Sequence, residues 1–253
     1  AAAAITPRTK AIIPVHIYGQ PADLDAFKSL CDRHSLLLME DCAQSHGACY
    51  RGQLCSTFAP ISSFSFYPTK NLGALGDAGA VTTNDAALAR RVRMLGNYGS
   101  ATKYVNDALG VNSRLDPLQA ALLRVKLTRL DDWNERRRSL AARYGAGLAD
   151  SGLILPKAPG WADPVWHLYV VRAPDNGGRD RLQARLSEAG IGTMIHYPIA
   201  PHRQKAYAAL GWSKGAFPLA EAIAGTALSL PIGPQLSAEA CAAVIAAVRG
   251  AIA

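Results

Sequence analysis

Apolar residues alternate between short continuous runs and runs spaced by three or four from the start of the chain to about Asn84. This pattern predicts an α/β sheet of parallel strands buried on both faces. Ala11 to Val15 reads as a strand, Pro21 to Arg33 as a helix with Leu24, Phe27 and Leu30 on one face, and Leu36 to Glu40 as the next strand. Such a βαβ unit crosses over right-handed. Ser62 to Phe66 and Ala80 to Thr83 are further short strands, separated by the glycine-rich turn from Gly73 to Gly79. Asn84 and Asp85 supply an N-cap for a helix over Ala86 to Leu95. From Gly96 to Asn112 the periodicity breaks, and a loop of that length is a candidate substrate or subunit contact.

Asp116 to about Leu148 reads as one long helical stretch, with Leu118, Leu122 and Val125 in helical register and Pro117 tolerated near its start. Past the Pro- and Gly-rich stretch from Pro156 to Pro164 the texture changes. A strand over His167 to Arg172, a helix over Gly178 to Ala189, a strand near Thr193 to Ile195 and a final helix from Ala238 predict a smaller α+β domain. The expected division is a large domain over residues 1–130 and a small C-terminal domain over 131–253. No internal repeat is visible.

The 253 residues, 49% of them hydrophobic, are enough to bury a substantial core. No apolar run has the length to span a bilayer, and Ala1 to Ala4 lacks the features of a signal peptide, so the expectation is a soluble, cytoplasmic protein. The formal charge of +8 raises the question of nucleic acid. The basic residues are scattered, and the densest run, Arg136 to Arg138, follows Asp131, Asp132 and Glu135 as a solvated helix face would. Nucleic acid and membrane are therefore not expected partners, although a positive field favours a phosphorylated small molecule. The five cysteines (Cys31, Cys42, Cys49, Cys55 and Cys241) show neither a CxxC pair nor metal-type spacing to histidine, which reads as reduced, mostly buried thiols and no metal. A redox or nucleophilic Cys42 is the alternative.

The chemistry concentrates at an acidic strand end, Met39-Glu40-Asp41, followed by Cys42-Ala43-Gln44-Ser45-His46-Gly47, and at Ser63-Phe64-Ser65-Phe66-Tyr67-Pro68-Thr69-Lys70. Ligands of open α/β sheets sit at the carboxyl ends of strands, where Asp41 and Lys70 both emerge. A lysine amine can form a Schiff base with an aldehyde cofactor, and pyridoxal 5′-phosphate (PLP) is an electron sink only while its ring nitrogen is protonated. A buried aspartate keeps it so, through a charge-assisted bond of roughly 1.5 to 3 kcal/mol. By themselves the two residues equally fit a solvated lysine and an aspartate capping a turn.

The strings Asp41 to Gly47, Ser63 to Lys70 and Gly76-Asp77-Ala78-Gly79-Ala80 resemble the DegT/DnrJ/EryC1/StrS family of PLP-dependent sugar aminotransferases. The resemblance continues through Asn97-Tyr98-Gly99-Ser100, Asn112 to Asp116, Leu118 to Ala121, Trp133 to Arg137 and His196-Tyr197-Pro198. It implies the fold type I, aspartate aminotransferase-like architecture: a mostly parallel α/β sheet sandwiched by helices, plus the smaller C-terminal α+β domain. It also implies a ping-pong transaminase that moves an amino group from an amino acid such as glutamate to a keto sugar carried on a nucleoside diphosphate. Tyr67-Pro68 before the lysine and Gly76-Asp77-Ala78-Gly79 after it are closest to enzymes acting at the 3-keto carbon of dTDP-linked 6-deoxyhexoses.

Residue by residue, the resemblance makes Lys70 the Schiff-base lysine and general base, and Asp41 the partner of the pyridinium. Gln44 would lie against the ring near its 3′ oxygen, and Ser65 would donate to the phosphate. Asn112 would reach the phosphate of the neighbouring subunit's cofactor, which makes a homodimer with shared active sites. Tyr67, Lys103, Tyr104, His196 and Tyr197 would line the sugar nucleotide site, Lys103 and Tyr104 from across the dimer. Tyr67 as a core aromatic, Lys103 as a solvated cation and His196 as a strand-end residue bonded to backbone are the bland alternatives. His16 and His46 read as structural. Family members begin with a further segment that cradles the phosphate and stacks on the ring, so the sequence reads as N-terminally truncated. That keeps a non-catalytic or truncated PLP-binding member as an alternative. A sugar dehydratase, in which histidine replaces the lysine, is opposed by Lys70.

Overall fold

The computed structural model describes residues 1–175 and 177–252. The chain divides into two compact units. Unit 1 is Ala1–Glu135 with Ala158–His167, and unit 2 is Arg136–Lys157 with Leu168–Ala253. The stretch 158–167 therefore returns to the first unit, so the chain passes from one unit to the other three times.

Unit 1 opens with β1 (Ala11–Ile12), α1 (Leu24–His34), β2 (Leu37–Leu38) and β3 (Glu40–Asp41). The expected strand over 11–15 is interrupted because Pro14 has no N–H to give a ladder, and pairing resumes as a single parallel bridge between Val15 and Asp41. The α1 helix begins where Asp23 accepts a hydrogen bond from the Ala26 amide at 3.2 Å, turns Leu24, Leu30 and Cys31 inward, and ends at Ser35 with φ 51°. A hairpin of β4 (Cys49–Tyr50) and β5 (Gln53–Leu54), which the hydrophobic pattern does not announce, precedes β6 (Ser62–Ser65) and β7 (Gly79–Thr82).

Strands β1 and β2 pair in parallel, as do β3 and β6, in the register Glu40 with Ser62 and Asp41 with Ser63. The β7 strand departs from the parallel, doubly buried expectation. It runs antiparallel to β6, and three of its four residues are exposed. Helix α2 (Ala86–Leu95) starts where expected, with the Asp85 carboxylate accepting from the Ala87 and Leu88 amides.

Between Gly96 and Asn112 the chain is not a structureless loop: β8 (Ser100–Thr102) and β9 (Val105–Asn106) form a hairpin, closed at its base by a bridge between Asn97 and Asn112. The single long helix expected over 116–148 is two, α3 (Pro117–Leu127) and α4 (Leu130–Gly147). The Thr128 hydroxyl bonds back to the Val125 carbonyl at 2.8 Å, and the helix breaks there. A short β10 (Ala162–Asp163) pairs with β4.

Two apolar clusters underlie this unit. One gathers Leu24, Cys42, Ala48, Tyr50, Cys55 and Val165, and the other Leu72, Ala74, Leu123 and Leu130.

Unit 2 is built on β11 (Tyr169–Arg172) and β12 (Ala227–Leu230), antiparallel over four residue pairs; α5 (Gly178–Glu188) packs on β12 and against α7 (Ala238–Ile252), and α6 (Pro218–Thr226) leads into β12. The strand expected near 193–195 reduces to one two-way bridge between Met194 and Ser229. Tyr144, Tyr169, Leu186, Leu228 and Val248 are almost wholly buried here.

Candidate active site

Because β3 and β6 are parallel, their carboxyl ends lie side by side and deliver the succeeding segments to one place. Asp41 closes β3 and Ser65 closes β6. Beyond Ser65 the chain makes the turn that carries Lys70, with the Lys70 amide donating to the Tyr67 carbonyl at 2.9 Å. The turn folds back tightly: a Cβ on Gly73 would stand 2.3 Å from the Pro68 carbonyl oxygen, so the position needs glycine. Lys126 Nζ donates to the Gly73 carbonyl at 2.7 Å and holds the return.

Asp41 Oδ1 accepts from the Ala43 amide at 2.9 Å, which fixes the carboxylate relative to its own strand end. Lys70 is half-buried. Its amine is held below the usual lysine range by burial, while the Asp41 charge pulls in the opposite direction. The two charges sense each other, yet among the described residues they form no ion pair. A flat ring with a cationic nitrogen at one end and an aldehyde at the other suits a carboxylate and an amine arranged in this way.

Gln44 is nearly buried, and its Oε1 accepts the Tyr18 amide. Ser65 Oγ accepts from the Tyr67 amide at 3.3 Å. Tyr67 is 50% exposed, so it is not a core aromatic.

The remaining expected residues lie elsewhere. Asn112 is exposed at the base of the β8–β9 hairpin, and Lys103 and Tyr104 form its tip, with the lysine Nζ 5.0 Å from the tyrosine ring centre. No described contact joins these three to Lys70. His196 and Tyr197 belong to unit 2, where His196 Nδ1 meets the Ser229 hydroxyl at 2.8 Å and the two rings pack edge to face. His196 thus has a side-chain partner on β12.

Three residues at the site escape sequence reasoning. His46 reads as structural from its spacing, but its ring sits between Phe64 and Phe66 within electrostatic reach of Lys70. Burial, reinforced by the lysine charge, pushes its pKa down to about 4 against the opposing pull of the Ser65 backbone. Neither ring nitrogen has a hydrogen-bond partner among the described residues, and the ring is neutral near pH 7.

Glu40 is fully buried beside Asp41. Its Oε1 accepts from the Phe58 and Ala59 amides, each at 3.0 Å, and its Oε2 from the Ser56 amide at 2.8 Å and His16 Nε2 at 3.1 Å. Burial would raise its pKa, but these donors outweigh it and hold the carboxyl below the usual range. The donor that completes the set, His16, accepts the Ala22 amide at Nδ1, which leaves its proton on Nε2 facing Glu40.

Spacing along the chain gives no hint that His16, Glu40 and Cys55 converge, with one ligand-type atom each within 4.8 Å of one another. The glutamate oxygens are already filled by N–H donors. Glu40 with His16 and these amides is therefore a hydrogen-bonded anion hold that ties residues 16 and 56–62 to the strand end carrying Asp41, and Cys55 only lies close to it. Cys42 lies in the adjoining apolar cluster with its thiol pushed up to about 12, chiefly by burial, which is the reverse of what a nucleophilic cysteine needs.

The model of the DegT/DnrJ/EryC1/StrS aminotransferase family matches residues 1–249. The chain belongs to that family. Within the DegT/DnrJ/EryC1/StrS family it is 56% identical over 247 residues to the erythromycin biosynthesis sensory transduction protein EryC1 of Saccharopolyspora erythraea, covering 97% of this chain and 67% of that protein. It is 52% identical to the dTDP-3-amino-3,4,6-trideoxy-α-D-glucose transaminase of Streptomyces venezuelae, covering 97% of this chain and 64% of that one.

Among solved structures, S. venezuelae DesV in complex with a ketimine intermediate superposes with a TM-score of 0.95 at 51% identity, over 98% of this chain and 67% of that chain. The chain thus spans about two thirds of the length of the relatives it matches. The fold is the fold type I architecture that the sequence strings imply. Among the described residues, no helix is long and apolar enough to cross a membrane.

Proposed function

We propose that the protein of which this chain is part is a PLP-dependent aminotransferase that moves an amino group from an amino acid, glutamate in the first instance, to the C3 keto carbon of a nucleoside-diphosphate 6-deoxyhexose. The observation that carries the reading is the pair Asp41 and Lys70 at neighbouring parallel strand ends, within electrostatic reach but unpaired. The relatives named as dTDP-amino-sugar transaminases and the DesV likeness support the substrate class.

PLP, when bound, supplies an electron sink for the substrate carbon that gains or loses the amine. In this reading Lys70 holds the cofactor covalently and moves the proton at the reacting carbon. Its burial assists, since a lysine amine with a lowered pKa spends more time in the neutral form that bonds carbon and accepts protons. Asp41, fixed by the Ala43 amide, keeps the ring nitrogen protonated. Gln44 is held by the Tyr18 amide, and its side-chain NH2 can face the ring oxygen. Ser65 contributes its hydroxyl to the phosphate.

Tyr67, exposed beside Lys70, is the substrate-lining residue most directly supported by position. Lys103, Tyr104 and Asn112 stand on an exposed hairpin, as residues delivered to a second subunit's site would, which supports a homodimer with shared sites. His196 and Tyr197, in unit 2, keep the substrate-lining role that the family resemblance gives them, and the reaction is assigned to the cytoplasm.

In the full-length protein, Lys70→Ala is expected to abolish the visible absorbance of lysine-linked PLP together with amine transfer. A variant that kept the band would refute the assignment of Lys70. Incorporation of donor nitrogen into the sugar separates this reaction from a dehydration, which would release a deoxy sugar and leave no nitrogen in the product.

A further inference from the structure

The residue after the proposed cofactor lysine has its own set of partners. Asn71 is 5% exposed, and its Nδ2 donates both to Asn134 Oδ1 and to the Val165 carbonyl, each at 2.9 Å. Its Oδ1 meets His167 Nδ1 at 3.1 Å. Asn134, 1% exposed, passes the connection on by donating Nδ2 to the His46 carbonyl at 2.8 Å. These four contacts admit one orientation of each amide. If Asn71 were flipped, its oxygen would face the Asn134 and Val165 oxygens; if Asn134 were flipped, oxygen would face the His46 carbonyl. A residue that only filled space would not need donors and acceptors matched in this way.

The contacts join four segments that are far apart in sequence: the Lys70 turn, the stretch after β3 that holds Gln44 and His46, the start of α4, and residues 165–167. The approach is close enough to restrict Gly47 as well. With φ at +86°, a Cβ there would stand 2.9 Å from Asn134 Nδ2. Both places where the chain leaves unit 1, after Glu135 and after His167, adjoin this network.

We propose that Asn71 is a positioning residue for Lys70: through Asn134, Val165 and His167 it locks the lysine's turn against the Asp41–His46 segment, so that the amine keeps its placement relative to the Asp41 carboxylate. The proposal rests on the reading of Lys70 as the cofactor lysine. The polypeptide on either side of Lys70 contrasts sharply. Tyr67 to Thr69 are exposed, while Asn71 to Ala74 are buried, so the lysine stands at the edge of a fixed platform. Without the Asn71 amide, the platform loses these side-chain bonds toward the β3 side. The lysine then samples placements in which proton transfer fails, although the substrate pocket is untouched.

The test uses the PLP-loaded full-length protein and its Asn71→Ala and Asn134→Ala variants, with two readouts: the pH midpoint of the visible band of lysine-linked PLP, and kcat against KM for amine transfer. Asn71→Ala is expected to lower kcat on the order of 10- to 100-fold with KM nearly unchanged. It should also move the band's midpoint by at least about half a pH unit. Asn134→Ala should do the same in smaller measure.

If both variants bind PLP with wild-type midpoint and kcat, and lose only thermal stability, the network is merely structural and the proposal is wrong. Should Asn71→Ala fail to fold, Asn134→Ala decides by the same outcomes. A wild-type protein that forms no visible band with PLP would instead overturn the reading of Lys70, and the role of Asn71 with it.

Discussion

Two antiparallel ladders of equal length show how the molecule divides its labour. In β6–β7 four residue pairs join Ser-Ser-Phe-Ser to Gly-Ala-Val-Thr, and in β11–β12 four pairs join Tyr-Val-Val-Arg to Ala-Leu-Ser-Leu. Seven of the eight residues in the second ladder are buried, but only Ser62 is buried in the first. The β11–β12 ladder is stabilised by apolar area removed from water. The β6–β7 ladder gives up that contribution and keeps hydroxyls and a glycine next to the site, and its surroundings are held by directed bonds to Glu40, Asn71 and Asn134. Stability in unit 2 is accordingly a matter of volume, and around the site a matter of hydrogen-bond matching.

Substitutions that respect one rule and break the other sharpen the contrast. The largest loss of stability is expected from Glu40→Gln, which keeps shape but sets an NH2 group against N–H donors whichever way the amide turns. His16 cannot compensate, because the Ala22 amide already claims Nδ1. Urea unfolding should show a loss of about 3 to 5 kcal/mol. A loss below about 1 kcal/mol would show that the carboxylate is not the anchor described.

Leu228→Ala, in the fully buried strand of unit 2, should cost about 3 kcal/mol by cavity formation and leave the visible band of bound PLP unaltered. A shifted band there would break the separation between packing and positioning.

His46→Phe probes the same boundary through pH. Burial keeps the folded-state pKa of His46 near 4, below the unfolded value, so its neutral form favours folding above about pH 6.5, and that contribution declines as pH falls toward 4. The Phe variant should lose this part of the acid sensitivity, at most about 3 kcal/mol across that window, as read from unfolding curves at several pH values. Parallel pH profiles for the two proteins would contradict the assignment.

The smallest effect on stability belongs to Tyr104→Ala. The ring is 88% exposed, and the change should stay within about 0.5 kcal/mol. A rise in KM for the sugar nucleotide with unchanged Tm would support its place in the substrate site.

The legible part of the sequence rests on local rules. Asp85 as a helix cap, the register of α1 and the glycine-rich return after Lys70 are decided by residues within a few positions of one another. The pair Asp41 and Lys70 is legible because strand ends gather chemistry and because whole strings match a family. Glu40, Asn71 and Asn134 give no comparable signal. Their partners lie 24 residues away for Glu40 with His16, and 63 for Asn71 with Asn134, and such pairings leave no period in the sequence. The β8–β9 hairpin is hidden for another reason. Its strands are three and two residues long and mostly exposed, too short and too wet for alternation to register.

The buried cysteines offer an experimental clock. Cys42 in unit 1 and Cys241 in unit 2 are both wholly shielded, so an alkylating reagent reaches either only when the structure around it opens. Their modification rates, resolved by peptide mass, would time the breathing of each half separately and without any engineered label.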